Sequence, residues 1–141
     1  MNMVSSTRVL PQPTPETQHF WDGCRVGELR LQRCRACSHS YFPPRPFCPK
    51  CARREVDIYV ACGRATLYSY IINHRPRPDL GPEPHSIAVV TLEEGPRMMT
   101  NIVGCPQTPE ALLLDMPLEV IFEKQTEEIS LPLFRRRDIE A

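Results

Sequence analysis

The chain has 141 residues, 41% hydrophobic and 24% charged, so it can build a packed core and wholesale disorder is excluded. No apolar run approaches the ~18 residues that a membrane span needs. The N-terminal residues lack the charged and apolar regions of a secretory signal, so we expect a soluble, cytoplasmic protein. Sixteen prolines against six glycines favour extended segments and stiff loops over a helical bundle.

The net charge of zero hides an uneven distribution. From Arg25 to Arg64, nine basic and three acidic residues give +6, whereas seven basic and twelve acidic residues give −5 from Ala65 onward. Fifteen of the 17 basic residues are arginine, which binds phosphate and carboxylate through two parallel hydrogen bonds. The cationic segment is therefore either an anion-attracting surface or a solvated face with accidental clustering.

The first predicted element is a short helix that follows an extended arm at residues 1–13. Thr14 is a candidate N-cap, because its hydroxyl can accept a backbone N–H, and Gly27 can end the helix. Phe20 falls on one helix face with Trp21 beside it. These two aromatics form either the core face of the helix or an interface anchor.

Two Cys-x-x-Cys pairs, separated by ten residues, predict a metal site after this helix. Zn²⁺ accepts four thiolates in a tetrahedron, and such a set leaves no open coordination position, so we expect one structural zinc per chain. Iron in an electron-transfer site would use the same ligands, and a disulfide or redox pair is the remaining alternative. The basic neighbours Arg33, Arg35 and Lys50 would offset the negative charge of the centre. The predicted ligands are Cys34, Cys37, Cys48 and Cys51.

Strand candidates occupy most of the remaining sequence. Residues 27–34 alternate leucine with charged residues, which fits a strand or a helix, and we lean towards a helix. Residues 55–75 are rich in β-branched and aromatic residues, with Thr66, Tyr68, Tyr70 and Ile72 expected on one face. A proline-punctuated loop follows, then three further strand candidates and a short closing one. Turn chemistry at residues 93–97 predicts a hairpin.

About five strands with hairpin turns, and no long helix between them, favour a small closed antiparallel barrel. The five-stranded oligonucleotide/oligosaccharide-binding (OB) barrel is the natural candidate. We therefore expect a mainly β protein with an N-terminal arm and helix at residues 1–31, a metal ribbon at residues 32–58 and an OB-fold barrel at residues 59–141.

Catalytic motifs are not evident. Cys62 and Cys105 lack the context of a nucleophile, and we interpret both as small buried or half-buried residues. There is no phosphate-binding glycine loop. We do not expect the chain to catalyse a reaction alone.

Several segments together resemble one protein family from residue 11 to residue 135. They are FWDG (20–23), GELRLQRCRAC (27–37), FPPRPFCPKC (42–51), GRATLYSY (63–70), IAVVTLEEGPRMMTNIVG (87–104) and PLEVIFEK (117–124). They are similar to the OB-fold proteins with an N-terminal rubredoxin-like zinc ribbon, long called a domain of unknown function and linked to acyl-CoA metabolism. The four cysteines match that family's metal ligands. One departure is Ser38, where the family often has glycine.

This resemblance implies a non-catalytic small subunit of thiolase-like enzymes: acyl-CoA thiolases, acyltransferases or synthases, and steroid side-chain aldolases. In such hetero-oligomers the large subunit holds the catalytic residues, and the small one supports assembly or shapes the acyl-CoA site. By position, the ribbon tip would contact the partner or CoA, and the helix aromatics are a further candidate contact, with the core face of the helix as their alternative. These expected contact residues are Phe20, Trp21, Tyr41, Phe42, Arg45 and Phe47.

Two other functions remain open at this point. A zinc ribbon and an OB barrel both suggest a single-stranded nucleic-acid-binding module, but such binding needs a cationic groove and several stacking aromatics. Because the barrel region is acidic, we do not expect nucleic acid as the partner. Autonomous acyl-CoA binding without a partner is the third interpretation.

Overall fold

The computed structural model describes residues 9–138, which contain one helix and nine strands. In chain order the elements are α1 (Gln18–Arg25), β1 (Arg30–Cys34), β2 (Ser40–Tyr41), β3 (Val56–Val60), β4 (Arg64–Asn73), β5 (His85–Leu92), β6 (Arg97–Thr100), β7 (Ile102–Val103), β8 (Pro117–Lys124) and β9 (Ser130–Arg136). They form a three-stranded sheet in the order β2-β1-β3 and a six-stranded sheet in the order β6-β5-β4-β8-β9-β7. Within these residues no helix is long and apolar enough to cross a membrane.

Helix α1 begins later than the sequence predicts. The expected N-cap at Thr14 is wrong, because Thr14 opens a turn in which its carbonyl accepts the N–H of Thr17 (3.0 Å) and of Gln18 (2.8 Å). The predicted end is confirmed. Gly27 has φ +82°, its N–H donates to the carbonyl of Cys24 (3.3 Å), and the next N–H reaches back to Gly23 (2.8 Å). This pair of bonds is a Schellman motif, which needs the left-handed glycine.

The expectation of a helix over residues 27–34 is wrong, since most of this segment is β1. Arg30–Cys34 pairs antiparallel with β3 along its whole length and with β2 at Gln32 and Arg33. Leu29 and Leu31 are both buried in the core. The alternation of leucine with polar residues therefore has the two-residue period of a strand, and pairing on both sides outweighs the local helical preference.

The six-stranded sheet closes into the predicted five-stranded barrel. A single residue, Asn101, separates β6 from β7, so the two behave as one bent strand. β6 pairs antiparallel with β5, and β7 pairs parallel with β9 at Ile102 and Phe134. The predicted hairpin after β5 is confirmed by hydrogen bonds from Gly95 to Leu92 and from Leu92 to Pro96, each 2.8 Å. The fold class, a mainly β chain with an OB barrel, is confirmed.

The prediction of which β4 side chains share a face is correct for the first half of the strand only. The pairing register with β5 shifts between Leu67 and Ser69, so Tyr68 sits in a β-bulge. An extra residue in one strand reverses the side-chain alternation that follows it. Tyr68 is exposed like Thr66 before the shift, whereas after it Tyr70 and Ile72 pack against the core.

One apolar core joins the barrel, the helix and the base of the ribbon. Its buried members are Phe20, Cys24, Leu29, Leu31, Ala61, Ala65, Leu67, Ala88, Val90, Leu92, Met98, Ile102, Leu112, Met116, Leu118 and Phe134. The outer part of the ribbon has a separate and much smaller cluster of Cys34, Tyr41 and Cys48. The tip of the ribbon thus depends on something other than apolar burial.

Candidate metal centre and contact surface

The two Cys-x-x-Cys segments place four sulfur atoms around one point. The Sγ atoms of Cys34, Cys37, Cys48 and Cys51 all lie within 4.8 Å of one another. Two pairs cross between the segments, Cys34 to Cys51 and Cys37 to Cys48, each at 3.6 Å. This distance is far longer than a disulfide bond of about 2.05 Å. Sulfurs held about 2.3 Å from a tetrahedral zinc ion stand about 3.8 Å apart, so the residues present fit the ion.

The backbone makes the same turn in both segments. The N–H of Ser38 donates to the carbonyl of Cys34 (2.9 Å), and the N–H of Ala52 donates to that of Cys48 (2.8 Å). Ser38 has φ +63° and Ala52 has φ +66°, in the left-handed region that favours glycine. The departure from glycine that the sequence shows at Ser38 is therefore repeated at Ala52. Both side chains are tolerated, at a cost in backbone strain.

Backbone N–H groups favour the thiolate form of two of the four ligands, Cys34 and Cys48. The N–H of Cys37 is the main cause that lowers the pKa of Cys34. Burial acts to raise the pKa of Cys48, but the N–H groups of Cys51 and Lys50 outweigh it and lower this pKa to about 7. The thiolate is the form that binds a metal. At Cys51 the N–H of Arg53 acts to lower the pKa, but burial and the hydrogen bonds with the three other cysteines outweigh it and raise this pKa to about 11.

Two of the three basic residues beside the ligands have other partners. Arg35 Nε donates to Asp57 Oδ1 across the sheet (2.8 Å), and the guanidinium of Arg33 lies 4.2 Å from the ring centroid of Tyr59. Lys50 is exposed. The expected balancing of thiolate charge by these side chains stays a prediction, since two of the three are held within the ribbon sheet.

The four cysteines are the site of one structural zinc. Four thiolates complete the coordination of the ion and leave no position for a substrate or water. The ion joins the end of β1 to the loop that leads into β3, where the ribbon's own apolar cluster is small. His39, which lies between the two cysteine pairs, stacks on Tyr41 at 5.9 Å instead of entering the cluster.

The three other cysteines are poor nucleophiles. Burial raises the pKa of Cys24 to about 12 and also raises the pKa of Cys105. Cys62 is exposed, contrary to expectation, yet partial burial followed by the carboxylates of Glu93 and Glu94 raises its pKa too. The protonated thiol is not the nucleophilic form.

The junction of ribbon and barrel is held by two adjacent glutamates, Glu93 and Glu94, which the sequence predicts to point to opposite faces of a strand. Glu94 Oε2 accepts the N–H of Cys62 (2.8 Å). Glu93 accepts two hydrogen bonds from the guanidinium of Arg64, each 3.0 Å, and these lower the pKa of Glu93 to about 2. Because the pair lies in the turn after β5, both side chains can reach the same segment, Cys62 before β4 and Arg64 at its start, which the alternation of a regular strand would prevent.

The expected contact residues divide into buried and accessible ones. Phe20 is only 2% exposed and Tyr41 is also buried, so neither side chain is accessible to a partner. The expected contact is therefore limited to Trp21, Phe42, Arg45 and Phe47. Trp21 and Phe42 are half-buried, and both rings pack on Phe20, with centroid distances of 5.0 and 5.1 Å. Phe20 therefore belongs to the core face of the helix, whereas the interface anchor at Trp21 stays a prediction.

The ribbon tip beyond Phe42 is more open. Arg45 is exposed, and its backbone N–H donates to Oε1 of the buried Gln32 (2.8 Å), which fixes the tip against β1. Phe47 is 39% exposed. The accessible contact residues thus lie on the tip and on the outer edge of the helix.

An apolar groove of ≈ 300 Å³ runs between helix, ribbon tip and barrel. Trp21 and Phe42 line one side, and Met99 and Leu131 lie on the other. Met99 is 68% exposed. The exposure of Met99 could have been predicted from the sequence. Adjacent strand residues point to opposite faces, so Met98 and Met99 cannot both enter the core.

Two family descriptions match the chain in succession. The rubredoxin-like zinc ribbon domain of ChsH2 matches residues 21–57, and the C-terminal OB-fold domain of ChsH2 matches residues 59–123. Among the solved structures, a chain of "Ltp2-ChsH2(DUF35) aldolase" superimposes with a TM-score of 0.80 and 32% identity. The match covers 90% of this chain and 98% of that one.

Curated relatives show the same combination. A "DUF35 domain-containing scaffold protein" of Methanocaldococcus jannaschii is 36% identical over 98 residues, which are 68% of each chain. A "Probable enoyl-CoA hydratase alpha subunit" of Thermomonospora curvata is 36% identical over 117 residues. The chain spans 36% of the length of that hydratase subunit. The resemblance that the motifs predicted is confirmed: the chain belongs to the DUF35 family of ChsH2-like proteins, which join a rubredoxin-like zinc ribbon to a C-terminal OB fold.

Proposed function

We propose that the chain is the non-catalytic small subunit of a thiolase-like acyl-CoA enzyme complex: a thiolase, an acyltransferase or an aldolase. It supports the assembly of the complex and the shape of the acyl-CoA site. The observation that carries this proposal is the likeness to the "Ltp2-ChsH2(DUF35) aldolase" chain, which this chain covers almost completely. The name of the Methanocaldococcus jannaschii relative, a scaffold protein, supports the same role.

The chemistry of the described residues supports a structural role. The zinc site is closed, and the thiols outside it are held in their protonated form by burial and by neighbouring carboxylates. In this proposal the catalytic groups belong to the large subunit, and this chain presents a surface to it.

The apolar groove is the surface we assign to the large subunit. Trp21 and Phe42 supply aromatic walls, and aromatic anchors in partly enclosed pockets dominate the energy of many protein interfaces. Arg45 and Phe47 extend this surface along the ribbon tip. The groove is lined mainly by apolar side chains, so it suits an apolar segment of the partner.

Nucleic-acid binding, the alternative, has less support. Among the barrel aromatics within residues 9–138, Tyr68 is the exposed one, and the guanidinium of Arg97 already lies 3.7 Å from its ring centroid. Phe134 is fully buried, and Tyr59, Tyr70 and Phe122 pack against the core. A row of free rings for stacking successive bases would therefore have to come from elsewhere.

The test is purification of the tagged chain from its own cells, with metal content and bound proteins measured on one sample. We expect one zinc per chain and a thiolase-like protein at a fixed ratio, identified by mass spectrometry. Zinc without such a protein, together with nucleic acid that dissociates as salt is raised, would overturn the proposal.

A matched pair of variants tests the assigned surface. Met99→Lys puts a charge in the groove and should lower the yield of the large subunit at least tenfold. Leu114→Lys, at a comparably exposed leucine outside the groove, should leave the yield unchanged. Equal yields from the two variants would contradict the groove while leaving the subunit role to the purification experiment.

A further inference from the structure

β3 is an unprotected sheet edge. It pairs with β1 on one side and ends the three-stranded sheet on the other. Edge strands are usually protected by lysine, proline or a bulge, because their free N–H and C=O groups can pair with another chain. β3 has none of these. Its sequence is VDIYV, and its single charge, Asp57, is paired with Arg35 at 2.8 Å.

The hydrogen-bond pattern shows which residues face outward. Arg35 donates to Glu55 at one end of the β1–β3 ladder, and Ala61 donates to Leu29 at the other. In an antiparallel pair, bonded residues alternate with residues whose N–H and C=O point away from the partner. Asp57 and Tyr59 therefore face β1, whereas the backbone groups of Ile58 and Val60 point to the open side.

The side chains of these outward residues are apolar and accessible. Ile58 is 49% exposed and Val60 is 54% exposed. Free backbone groups and exposed β-branched side chains thus occur at the same two positions. This combination is what strand addition requires, since the backbone supplies affinity and the side chains supply packing.

We infer that β3 pairs antiparallel with β3 of a second copy of this chain, across a twofold axis at Ile58. In this register Ile58 lies opposite its own copy, and Val60 lies opposite Val56, so six β-branched side chains form one row. Asp57 lies opposite Tyr59, and no like charges face each other. All five residues of the strand have a partner. The N–H of Val56, which donates to the carbonyl of Arg54 (3.0 Å) in the single chain, exchanges that bond for one across the axis.

The neighbouring twofold registers are less favourable. An axis at Asp57 would set two aspartates directly opposite each other, which is destabilising. An axis at Tyr59 would leave Val56 without a partner on the other strand. The charge pattern of the strand therefore selects one register, and the symmetric order of its β-branched residues about Ile58 favours a second copy as the partner. The pairing does not depend on the large subunit.

The test is the mass of the purified, zinc-loaded chain in light scattering over a concentration series that reaches about 1 mM, the range of weak association. We expect the mass to rise from one chain to two. Ile58→Lys and Val60→Lys should each keep the chain monomeric throughout. Ile71→Lys, at an exposed isoleucine of the barrel, should dimerise like the wild type.

Zinc content and far-ultraviolet circular dichroism verify that each variant is folded. A wild-type chain that stays monomeric at about 1 mM overturns the inference. So does a dimer that persists in both β3 variants, because it would use another surface. Since the large subunit is not in the sample, these outcomes are independent of the proposed subunit role.

Discussion

The ribbon and the barrel are stabilised by different means. The barrel shares an extensive apolar core with the helix, whereas the outer ribbon buries only Cys34, Tyr41 and Cys48, two of which are metal ligands. A segment this small cannot offset its loss of chain entropy by apolar burial alone. One chain thus joins a region that folds by its own packing to a region that needs an ion.

Loss of the metal should separate the two regions most strongly. Cys48→Ser removes one of four thiolates, and structural zinc contributes about 10–16 kcal/mol in small zinc domains. We expect loss of zinc and of amide protection in β1–β3, with protection retained in β4, β5, β8 and β9, measured by hydrogen exchange. Cys62→Ser, outside the site, is the control and should keep its zinc. Loss of protection in the barrel as well would show that the two regions fold as one unit.

A cavity in the barrel core should destabilise the barrel and leave the zinc site intact. Phe134 is fully buried between β8 and β7, and Phe134→Ala should lower the free energy of unfolding by about 3–5 kcal/mol in urea titration. Zinc content in native buffer should not change. Phe47→Ala removes a partly exposed ring of the ribbon tip and should cost less than about 1 kcal/mol. A comparable loss from both variants would contradict the assignment of the core.

A substitution at the junction of ribbon and barrel should lower the free energy of unfolding by an intermediate amount. Gly63 and Gly81 have nearly equal φ angles of +85° and +86°, but a methyl group on Gly63 would meet Val120 Cγ1 at 2.8 Å, whereas Gly81 has open space. Alanine at either position costs about 1–2 kcal/mol of backbone strain. Gly63→Ala should cost about 1–3 kcal/mol more than Gly81→Ala because the stiff valine must move. Equal losses in urea titration would mean that ribbon and barrel separate easily at this point.

The smallest expected effect is a gain in the stability of the ribbon. Ala52→Gly removes left-handed strain of about 1–2 kcal/mol and adds unfolded-chain entropy of about 0.5–1 kcal/mol, so the net gain is about 0.5 kcal/mol. Ala36→Gly, in the same ribbon but without a positive φ, should be destabilising. Zinc release to a chelator should be slower in the first variant and faster in the second. Slower release in both would contradict the strain argument.

The spacing of neighbouring cysteines in the sequence was enough to predict most of the metal centre. Each Cys-x-x-Cys turn brings its own two sulfurs together, so Cys34, Cys37, Cys48 and Cys51 could be identified without knowing what the ribbon packs against. The barrel strands were readable for a related reason, since alternation and hairpin residues are local properties. The family motifs were equally visible in the sequence.

Contacts between distant segments decided the rest. Pairing on both sides made residues 30–34 a strand, and the bulge at Tyr68 reversed the faces of β4. The groove beside Trp21 and the open edge at Ile58 exist only after helix, ribbon and barrel have packed. The ligands, the barrel strands and the family could therefore be predicted from local sequence. Only the tertiary structure decided which surfaces remain uncovered, because exposure depends on every neighbour that the folded chain brings to a residue.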